Sequence, residues 1–279
     1  LDNLSTGKRE AVPTGEHIVF VEGDVGDEHL VESLVQEQGI EEVIHLAAFV
    51  DVAESVRDPE KYRLNNLENT KKLLAAAKRG GVRKFVFSST AAVYGTPKET
   101  PVDENAATKP ESPYGEYKLE AEKAVKESGL FYVILRYFNV AGTDPEGRAG
   151  YVVRASATHL IRRAVLAATG GLEMLQVFGS DYPTPDGTCI RDFIHVSDLS
   201  NAHLKALEYL RKGGEPNTFN VGTGKGYSVL EVLQTVRARS ASDLKWEIAP
   251  RRAGDSVAVV ADPSRIKKVL GWESIFDLP

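Results

Sequence analysis

Four short apolar runs within residues 1–137 constrain the fold of this chain most strongly. They are rich in β-branched and aromatic residues and lie at residues 17–21, 42–48, 84–89 and 131–137. None alternates apolar and polar residues, which is typical of parallel strands covered on both faces. Helix-forming stretches at residues 27–38, 66–78 and 113–127 separate them. This alternation predicts an α/β fold, a Rossmann-type doubly wound parallel sheet with right-handed crossovers.

The chain from about Gly142 onward is less regular and predicts a second, smaller domain. It contains a Pro/Gly-rich loop at residues 182–187 and a helix that should begin near Ser228. We therefore expect one domain over residues 1–142 and another over residues 143–279, parts of which return to the first. Ligands of open α/β sheets bind at the carboxyl ends of the strands, so the functional site is expected there.

Composition excludes several classes of protein. Hydrophobic residues make up 42% of the chain and charged residues 27%, which is typical of a globular protein with a large core. The apolar runs fall well short of the roughly 20 residues that a membrane-spanning helix needs. A net charge of -6 without a long basic run argues against nucleic acid as the main partner. The single cysteine, Cys189, indicates a reducing, cytoplasmic location. We expect no metal, because His195 and His203 lack partners at metal-ligand spacing.

The pentapeptide YGEYK carries the strongest chemical signal. On a helix, Tyr114 and Lys118 are four residues apart and share one face. A free tyrosine with a pKa of about 10 is a poor base at neutral pH. A nearby ammonium group favours the phenolate and lowers that pKa. Thr90 follows the strand predicted at residues 84–89, where its hydroxyl can bond a substrate oxygen as the proton leaves.

Each of these residues also has a purely structural interpretation. Tyr114 and Lys118 can be an incidental pair on an exposed helix, and Thr90 can close a turn at the end of its strand. The order of a hydroxyl residue and then Tyr-x-x-x-Lys on successive βα units is more specific than either part, and it favours proton-transfer chemistry.

Further motifs extend the chemical interpretation over nearly the whole chain: LDNLSTG, EGDV, HLAAF, SSTAAVYG, LRYFNVAG, CIRDFIHVSDL and PRRAGDSVAVVADP. With them the sequence resembles the extended short-chain dehydrogenase/reductases (the NAD-dependent epimerase/dehydratase family), and within these the nucleotide-sugar 4-epimerases. The resemblance implies an NAD-binding Rossmann domain over residues 1–142 and a nucleotide-sugar-binding domain over residues 143–279. It also implies a homodimer formed through the helices at residues 66–78 and 113–127.

The resemblance assigns catalysis to Thr90, Tyr114 and Lys118. Tyr114 would be the base, Lys118 would hold the nicotinamide ribose, and Thr90 would complete the relay. Asp2 takes the place of the acidic residue that binds the adenosine ribose, which favours NAD because the 2′-phosphate of NADP would meet a negative charge. The implied cofactor residues are Asp2, Asn3, Ser5, Thr6, Gly7, Asp24, Val25, Leu46, Ala47, Ala48, Asn65, Ser88, Tyr114, Lys118 and Phe138.

The implied substrate residues lie mostly in the second half of the chain. Arg191 and Arg252 can converge on a diphosphate, since guanidinium groups match phosphate oxygens in pairs, although either one alone fits a surface ion pair. Asp255 would bind the uridine ribose. The full set is Thr90, Tyr114, Asn139, His159, Leu160, Gln176, Phe178, Arg191, Arg252, Asp255 and Val259.

The implied activity is the interconversion of UDP-glucose and UDP-galactose, by transient oxidation at C4 with tightly bound NAD. Val259 borders the implied sugar pocket and is small, so we expect the N-acetylhexosamine pair to be accepted as well. One alternative is another nucleotide-sugar enzyme of the family, a UDP-glucuronate decarboxylase or a 4,6-dehydratase. Ala91 and Ala92 argue against it, because these relatives usually carry acidic residues there. The other alternative is a protein without catalytic activity, either a binding or scaffold protein or an inactive fragment unable to hold NAD.

The sequence departs from the family pattern at several positions. Ala53 and Asn69 stand where glycine is usual, and Arg162 stands where proline often follows the HLI run. The family's glycine-rich loop should lie roughly 20 residues before the acidic residue represented by Asp2. We therefore expect the first strand, that loop and the first helix to precede residue 1, and a further helix to follow the final residue.

Overall fold

The structure, a computed structural model, describes residues 1–148, 159–252 and 255–278. The α-helices are α1 (Glu28–Gln38), α2 (Val52–Arg57), α3 (Pro59–Tyr62), α4 (Asn69–Gly80), α5 (Pro113–Glu127), α6 (Leu160–Ala168), α7 (Val196–Arg211), α8 (Val229–Ser240) and α9 (Ser264–Leu270). The strands are β1 (Glu42–His45), β2 (Lys84–Thr90), β3 (Phe131–Tyr137), β4 (Asn139–Ala141), β5 (Leu175–Phe178), β6 (Ile190–Arg191), β7 (Phe193–His195), β8 (Asn217–Val221), β9 (Tyr227–Ser228), β10 (Trp246–Ala249) and β11 (Ala258–Val259). A π-helix spans Arg63–Glu68, and 3-10 helices span Arg9–Ala11 and Ala91–Tyr94.

The chain divides into two compact units that interleave along the sequence. The first comprises Leu1–Val93, Ser112–Leu135 and His203–Thr218, and the second comprises Tyr94–Glu111, Arg136–Ala202 and Phe219–Pro279. The domain boundary predicted after residue 142 stays a prediction, because a compact unit and a ligand-binding domain need not coincide.

The main sheet has the strand order β1-β2-β3-β8. Strands β1 and β2 run parallel, with Glu42 opposite Lys84 and His45 opposite Phe87. Phe85 and Phe87 of β2 and Ile134 of β3 are fully buried, in a core that α1, α4 and α5 also supply. Burial on both faces of β2 agrees with its unbroken apolar sequence. The predicted Rossmann-type parallel sheet is confirmed.

Local capping explains where the predicted helices begin. The Asp27 carboxylate accepts the Leu30 N–H at the start of α1, and Ser112 accepts the Gly115 N–H at the start of α5, directly before Pro113. Ser228 and Glu231 form a capping box at the start of α8. The helix predicted at residues 113–127 matches α5 at both ends.

Three predicted elements differ in the structure. Residues 17–21 are not a strand: Asp2 and Glu22 form only an isolated bridge, and Val19 is 68% exposed, so neither a ladder nor a buried face holds this run extended. The strand predicted at residues 42–48 ends at His45, and Ala47 and Ala48 instead lie in the lining of a cleft described below. The helix predicted at residues 66–78 is a π-helix up to Glu68 and an α-helix from Asn69.

The second unit contains small sheets, with strand orders β10-β5, β11-β6-β9 and β4-β7. Its helices α6 and α8 pack with β5 around a core of Ala164, Leu175, Val177, Leu233 and Leu244. Across the described residues, no helix is both long enough and apolar enough to cross a membrane.

Candidate active site

Helix α5 places Tyr114 in its first turn, and the first unit holds this residue firmly. Tyr114 is 8% exposed, and its backbone N–H donates to the buried Ser55 hydroxyl at 3.2 Å. The ring of Tyr62 meets the Tyr114 ring edge-on, with 6.3 Å between centroids. The side chain of Thr90, at the end of β2, forms a hydrogen bond with Tyr114. Thr90 and Tyr114 therefore lie side by side, while their catalytic roles stay a prediction.

Thr90 also closes the turn that follows β2. Its hydroxyl oxygen accepts the Ala92 N–H at 3.1 Å, which is the structural role considered from the sequence. The two roles are compatible, because a hydroxyl both donates and accepts hydrogen bonds. The turn fixes the position of the hydroxyl beside Tyr114.

The electrostatics of Tyr114 differ from the sequence-based expectation. Burial raises the pKa of Tyr114 above its ordinary value, and the hydrogen bond with Thr90 acts in the opposite direction with a smaller effect. The sequence-based expectation considered only the ammonium group of Lys118, whereas the largest cause of the shift in the structure is desolvation of the phenolate.

Lys118 lies one turn further along α5 and is 3% exposed. Its ammonium group donates to the Ser88 carbonyl at 2.8 Å and lies 4.9 Å from the centre of the Phe87 ring. Burial lowers the pKa of Lys118 to about 8, while the negative charge of Glu122 acts against this fall. Lys118 is therefore still mostly cationic at neutral pH.

Two further titratable groups surround Lys118. Glu122, another turn along α5, is fully buried and accepts a hydrogen bond from the Ser89 hydroxyl at 2.5 Å. His45 of β1 stacks on Phe87 and contacts the Thr70 hydroxyl at 3.0 Å. Burial, with a smaller contribution from the positive charge of Lys118, lowers the pKa of His45 to about 3, so this imidazole is neutral. Lys118 is the cation of this group, and Glu122 is its counter-charge.

A cleft in the first unit gathers most of the predicted cofactor residues. The predicted residues in the cleft have carboxylate, amide, hydroxyl or small apolar side chains, and Gly23 and Phe49 line it as well. The full lining comprises Asp2, Asn3, Ser5, Thr6, Gly23, Val25, Ala47, Ala48, Phe49 and Asn65. Asp24 adjoins it, because the Asn3 amide donates to its carboxylate at 2.8 Å.

Asn69, which departs from the family pattern, is accommodated beside this cleft. Its amide donates to the Asp24 carboxylate at 2.9 Å, next to the Gly26 N–H, which donates to the same oxygen at 2.7 Å. A Cβ atom at Gly26 would collide with the Asn69 side chain. Glycine at position 26 therefore makes the room that Asn69 needs.

In the second unit, four predicted substrate residues are brought together. Arg191 and Arg252 both reach the Asp255 carboxylate, at 3.7 Å and 3.0 Å respectively. The Arg252 guanidinium also lies 4.5 Å from the centre of the Phe178 ring. Two arginines distant in sequence thus converge beside one aromatic ring and one carboxylate, while their binding of a diphosphate stays a prediction.

The other predicted substrate residues occupy different places in this unit. Val259 of β11 is paired with Arg191 of β6 in the sheet register, and the Gln176 amide of β5 donates to Glu247 at 3.3 Å. Asn139 begins β4, while His159 and Leu160 stand at the start of α6.

The remaining predicted cofactor residues are not part of the cleft lining. Gly7 and Leu46 lie next to it in sequence, whereas Ser88 supplies the carbonyl that holds Lys118. Phe138 is buried in the second unit, where its N–H donates to the Val221 carbonyl at 3.2 Å.

Sequence reasoning missed several side chains that support the site. Ser55 and Tyr62 contact Tyr114. Glu122 interacts electrostatically with Lys118. Asn66 forms a hydrogen bond with the backbone of Phe49. Glu122 could have been found, because it continues the four-residue spacing of Tyr114 and Lys118. The other three depend on contacts between distant segments, which no local pattern reveals.

Comparison with known proteins agrees with this geometry. A model of the NAD dependent epimerase/dehydratase family matches residues 1–222. A UDP-glucose 4-epimerase of Azospirillum brasilense is 46% identical over 276 residues, which cover 98% of this chain and 78% of that protein.

Solved structures are similar as well. A UDP-glucose 4-epimerase of Stenotrophomonas maltophila with bound NAD and formylated UDP-arabinopyranose superposes with a TM-score of 0.96 at 38% identity, covering 99% of this chain and 85% of that one. A UDP-Glc/GlcNAc 4-epimerase of Campylobacter jejuni gives a TM-score of 0.85 at 42% identity, covering 99% of this chain and 86% of that one. Tyr114 and Lys118 are buried, Thr90 lies beside Tyr114, and the matches extend over nearly the whole chain. This chain therefore belongs to the NAD dependent epimerase/dehydratase family.

Proposed function

We propose that this protein interconverts UDP-glucose and UDP-galactose with bound NAD as its cofactor. The observation that carries the proposal is the set of Thr90, Tyr114 and Lys118, of which Tyr114 and Lys118 are buried, in the compact unit that also contains the cleft. The similarity to UDP-glucose 4-epimerases over 98% of the chain supports the same activity.

Tyr114 is the residue that exchanges the proton of the sugar 4-hydroxyl. Because burial raises its pKa, Tyr114 holds its own proton at neutral pH until the phenolate is stabilised. The Thr90 hydroxyl is placed to donate to that phenolate, and Lys118 supplies a positive charge one helical turn away. Bound NAD supplies reversible acceptance of hydride from C4 of the sugar.

The cleft suits a dinucleotide in its chemistry. The Asp2 carboxylate is placed to accept both hydroxyls of an adenosine ribose, as acidic residues do in Rossmann sites. Gly23, Ala47 and Ala48 leave space for close approach to the backbone, and the Asn65 amide and the Ser5 hydroxyl offer polar contacts.

The nucleotide sugar is assigned to the second unit. Arg191 and Arg252 are the guanidinium groups for the diphosphate, and Phe178 with Gln176 forms the uracil side. Val259, beside Arg191 in the sheet, leaves room for an N-acetyl group, so the N-acetylhexosamine pair is proposed as a second substrate pair. Asn139, His159 and Leu160 complete the proposed contacts.

Decarboxylase and dehydratase activities are not favoured. Ala91 and Ala92, which follow Thr90, provide no acid or base for the removal of water or carbon dioxide.

We also infer that the protein forms a homodimer through α4 and α5 and that it lies in the cytoplasm. The single cysteine, Cys189, supports a reducing compartment.

The test uses protein expressed from its complete gene. We expect the purified protein to release NAD on denaturation and to convert UDP-glucose to UDP-galactose, and UDP-N-acetylglucosamine to its C4 epimer. A folded protein that carries no NAD and leaves UDP-glucose unchanged would refute the main proposal. Conversion of UDP-glucose alone would refute only the assignment to Val259.

A further inference from the structure

The side chain of Asn66 makes two hydrogen bonds to the backbone of one cleft residue. Its amide oxygen accepts the Phe49 N–H at 2.9 Å, and its amide nitrogen donates to the Phe49 carbonyl at 2.8 Å. Asn66 is 1% exposed. Two bonds to the same residue fix both its position and its orientation, so Asn66 acts as a clamp on the segment that follows β1.

The same amide also orients a second residue of the cleft. The Asn65 side-chain nitrogen donates to the amide oxygen of Asn66 at 2.9 Å. This bond directs the Asn65 amide group at the wall of the cleft. A single buried side chain therefore connects two parts of the lining that lie in different segments of the chain.

The backbone around Asn66 explains how this placement arises. Asn65 and Asn66 lie within the π-helix Arg63–Glu68, whose wider turn differs from the α-helical α4 that follows. The Thr70 hydroxyl donates to the Asn66 carbonyl at 2.8 Å and also contacts His45 at the end of β1. π-turns within helices are rare and are frequent at functional sites.

We propose that Asn66 is a positioning residue for the dinucleotide, holding the Phe49 backbone and the Asn65 amide in the arrangement that binds NAD. The inference rests on the proposed function. Asn66 itself is not in the cleft lining, so it acts through Phe49 and Asn65. Removing its side chain leaves two backbone groups of Phe49 without their partners and frees the Asn65 amide to rotate.

The test measures NAD affinity by calorimetry in Asn66→Ala, Asn65→Ala and the double variant. We expect the Kd for NAD to rise about tenfold in Asn66→Ala, which corresponds to the loss of one to two net hydrogen bonds. Because Asn66 acts partly through Asn65, the double variant should raise the Kd by less than the product of the single effects. Asn66→Ser serves as a milder variant if Asn66→Ala does not fold.

Hydrogen exchange provides a readout independent of activity. The Phe49 amide should exchange slowly in the wild type and at least about tenfold faster in the Asn66 variants, whereas the amides within α4 stay protected. Val35→Ala, in the core next to α4, is the control for general destabilisation and should leave the Kd unchanged.

The outcomes separate the two proposals. If folded Asn66 variants bind NAD as tightly as the wild type, or if the single effects simply multiply, the positioning role is wrong while the proposed function stands. If the wild type itself binds no NAD, the proposed function fails, and this inference fails with it.

Discussion

Replacing Lys118 by methionine should stabilise the fold while removing activity. Methionine has a similar length and packs well against an aromatic ring such as Phe87, but it carries no charge. The ammonium group of Lys118 is nearly fully buried, and it donates a hydrogen bond to the Ser88 carbonyl. Burial of this charge therefore lowers the stability of the fold.

The size of the effect follows from the pKa. A fall in the pKa of Lys118 from 10.5 to about 8 corresponds to about 3 kcal/mol of unfavourable free energy in the folded state. This value already includes the attraction of Glu122. Loss of the bond to Ser88 removes about 1 kcal/mol of stabilisation. The variant should therefore be more stable by about 2 kcal/mol, or by roughly 3–4 °C in Tm for a chain of 279 residues.

The sign of the pH dependence is the sharper test. Below about pH 8, both the folded and the unfolded wild type hold the proton on Lys118, so the full cost is present. Between about pH 8 and 10.5, the folded state loses this proton before the unfolded state does, and the wild type gains stability as the pH rises. The advantage of Lys118→Met should therefore be largest near neutral pH and vanish toward the upper end of that range.

Thermal unfolding followed by circular dichroism across this pH range measures the effect. Lys78→Met is the matched control: Lys78 also donates to a backbone carbonyl, that of Ser128 at 2.6 Å, but it is exposed, so no gain should appear. The reasoning is refuted if Lys118→Met is no more stable than the wild type near neutral pH, or if its advantage does not change with pH.

Three further substitutions test other parts of the structure. Tyr114→Phe keeps the ring contact with Tyr62 and should lower epimerase turnover at least about 100-fold with little change in Tm; turnover near the wild-type value would exclude Tyr114 as the proton-transfer residue. Asp192→Asn should cost about 3 kcal/mol in chemical denaturation, because the buried carboxylate accepts backbone N–H groups of three residues, and an unchanged midpoint would contradict this. Gly95→Ala should lower the yield of folded protein, since Gly95 has a φ of 63° and a Cβ atom would overlap the Lys109 carbonyl oxygen; a wild-type Tm would show that the loop adapts.

Elements with local signals were predictable from the sequence. Helix α5 begins where Ser112 caps it and Pro113 starts it, and its predicted bounds agree with the structure. The run at residues 17–21 has an equally apolar sequence, yet it forms no strand, because a strand also needs a neighbour along its length. The π-helix at Arg63–Glu68 carries no local signal, since its turn is stabilised by contacts of Asn66 and Thr70 with distant segments.

In the site, too, the residue types could be predicted from the sequence, whereas the effect of their surroundings on their pKa values could not. The sequence supplied the identity and spacing of Tyr114 and Lys118, and from these alone a lowered tyrosine pKa was expected. Burial reverses that direction for Tyr114 and also lowers the pKa of Lys118, with Glu122 limiting the fall. The two shifts move the pKa values apart, so Tyr114 holds its proton more firmly than a free phenol and Lys118 releases its proton more easily than a free ammonium group. The depth at which helix α5 buries this face, which depends on β1, β2 and the Tyr62 ring, therefore sets the chemistry that the motif makes available.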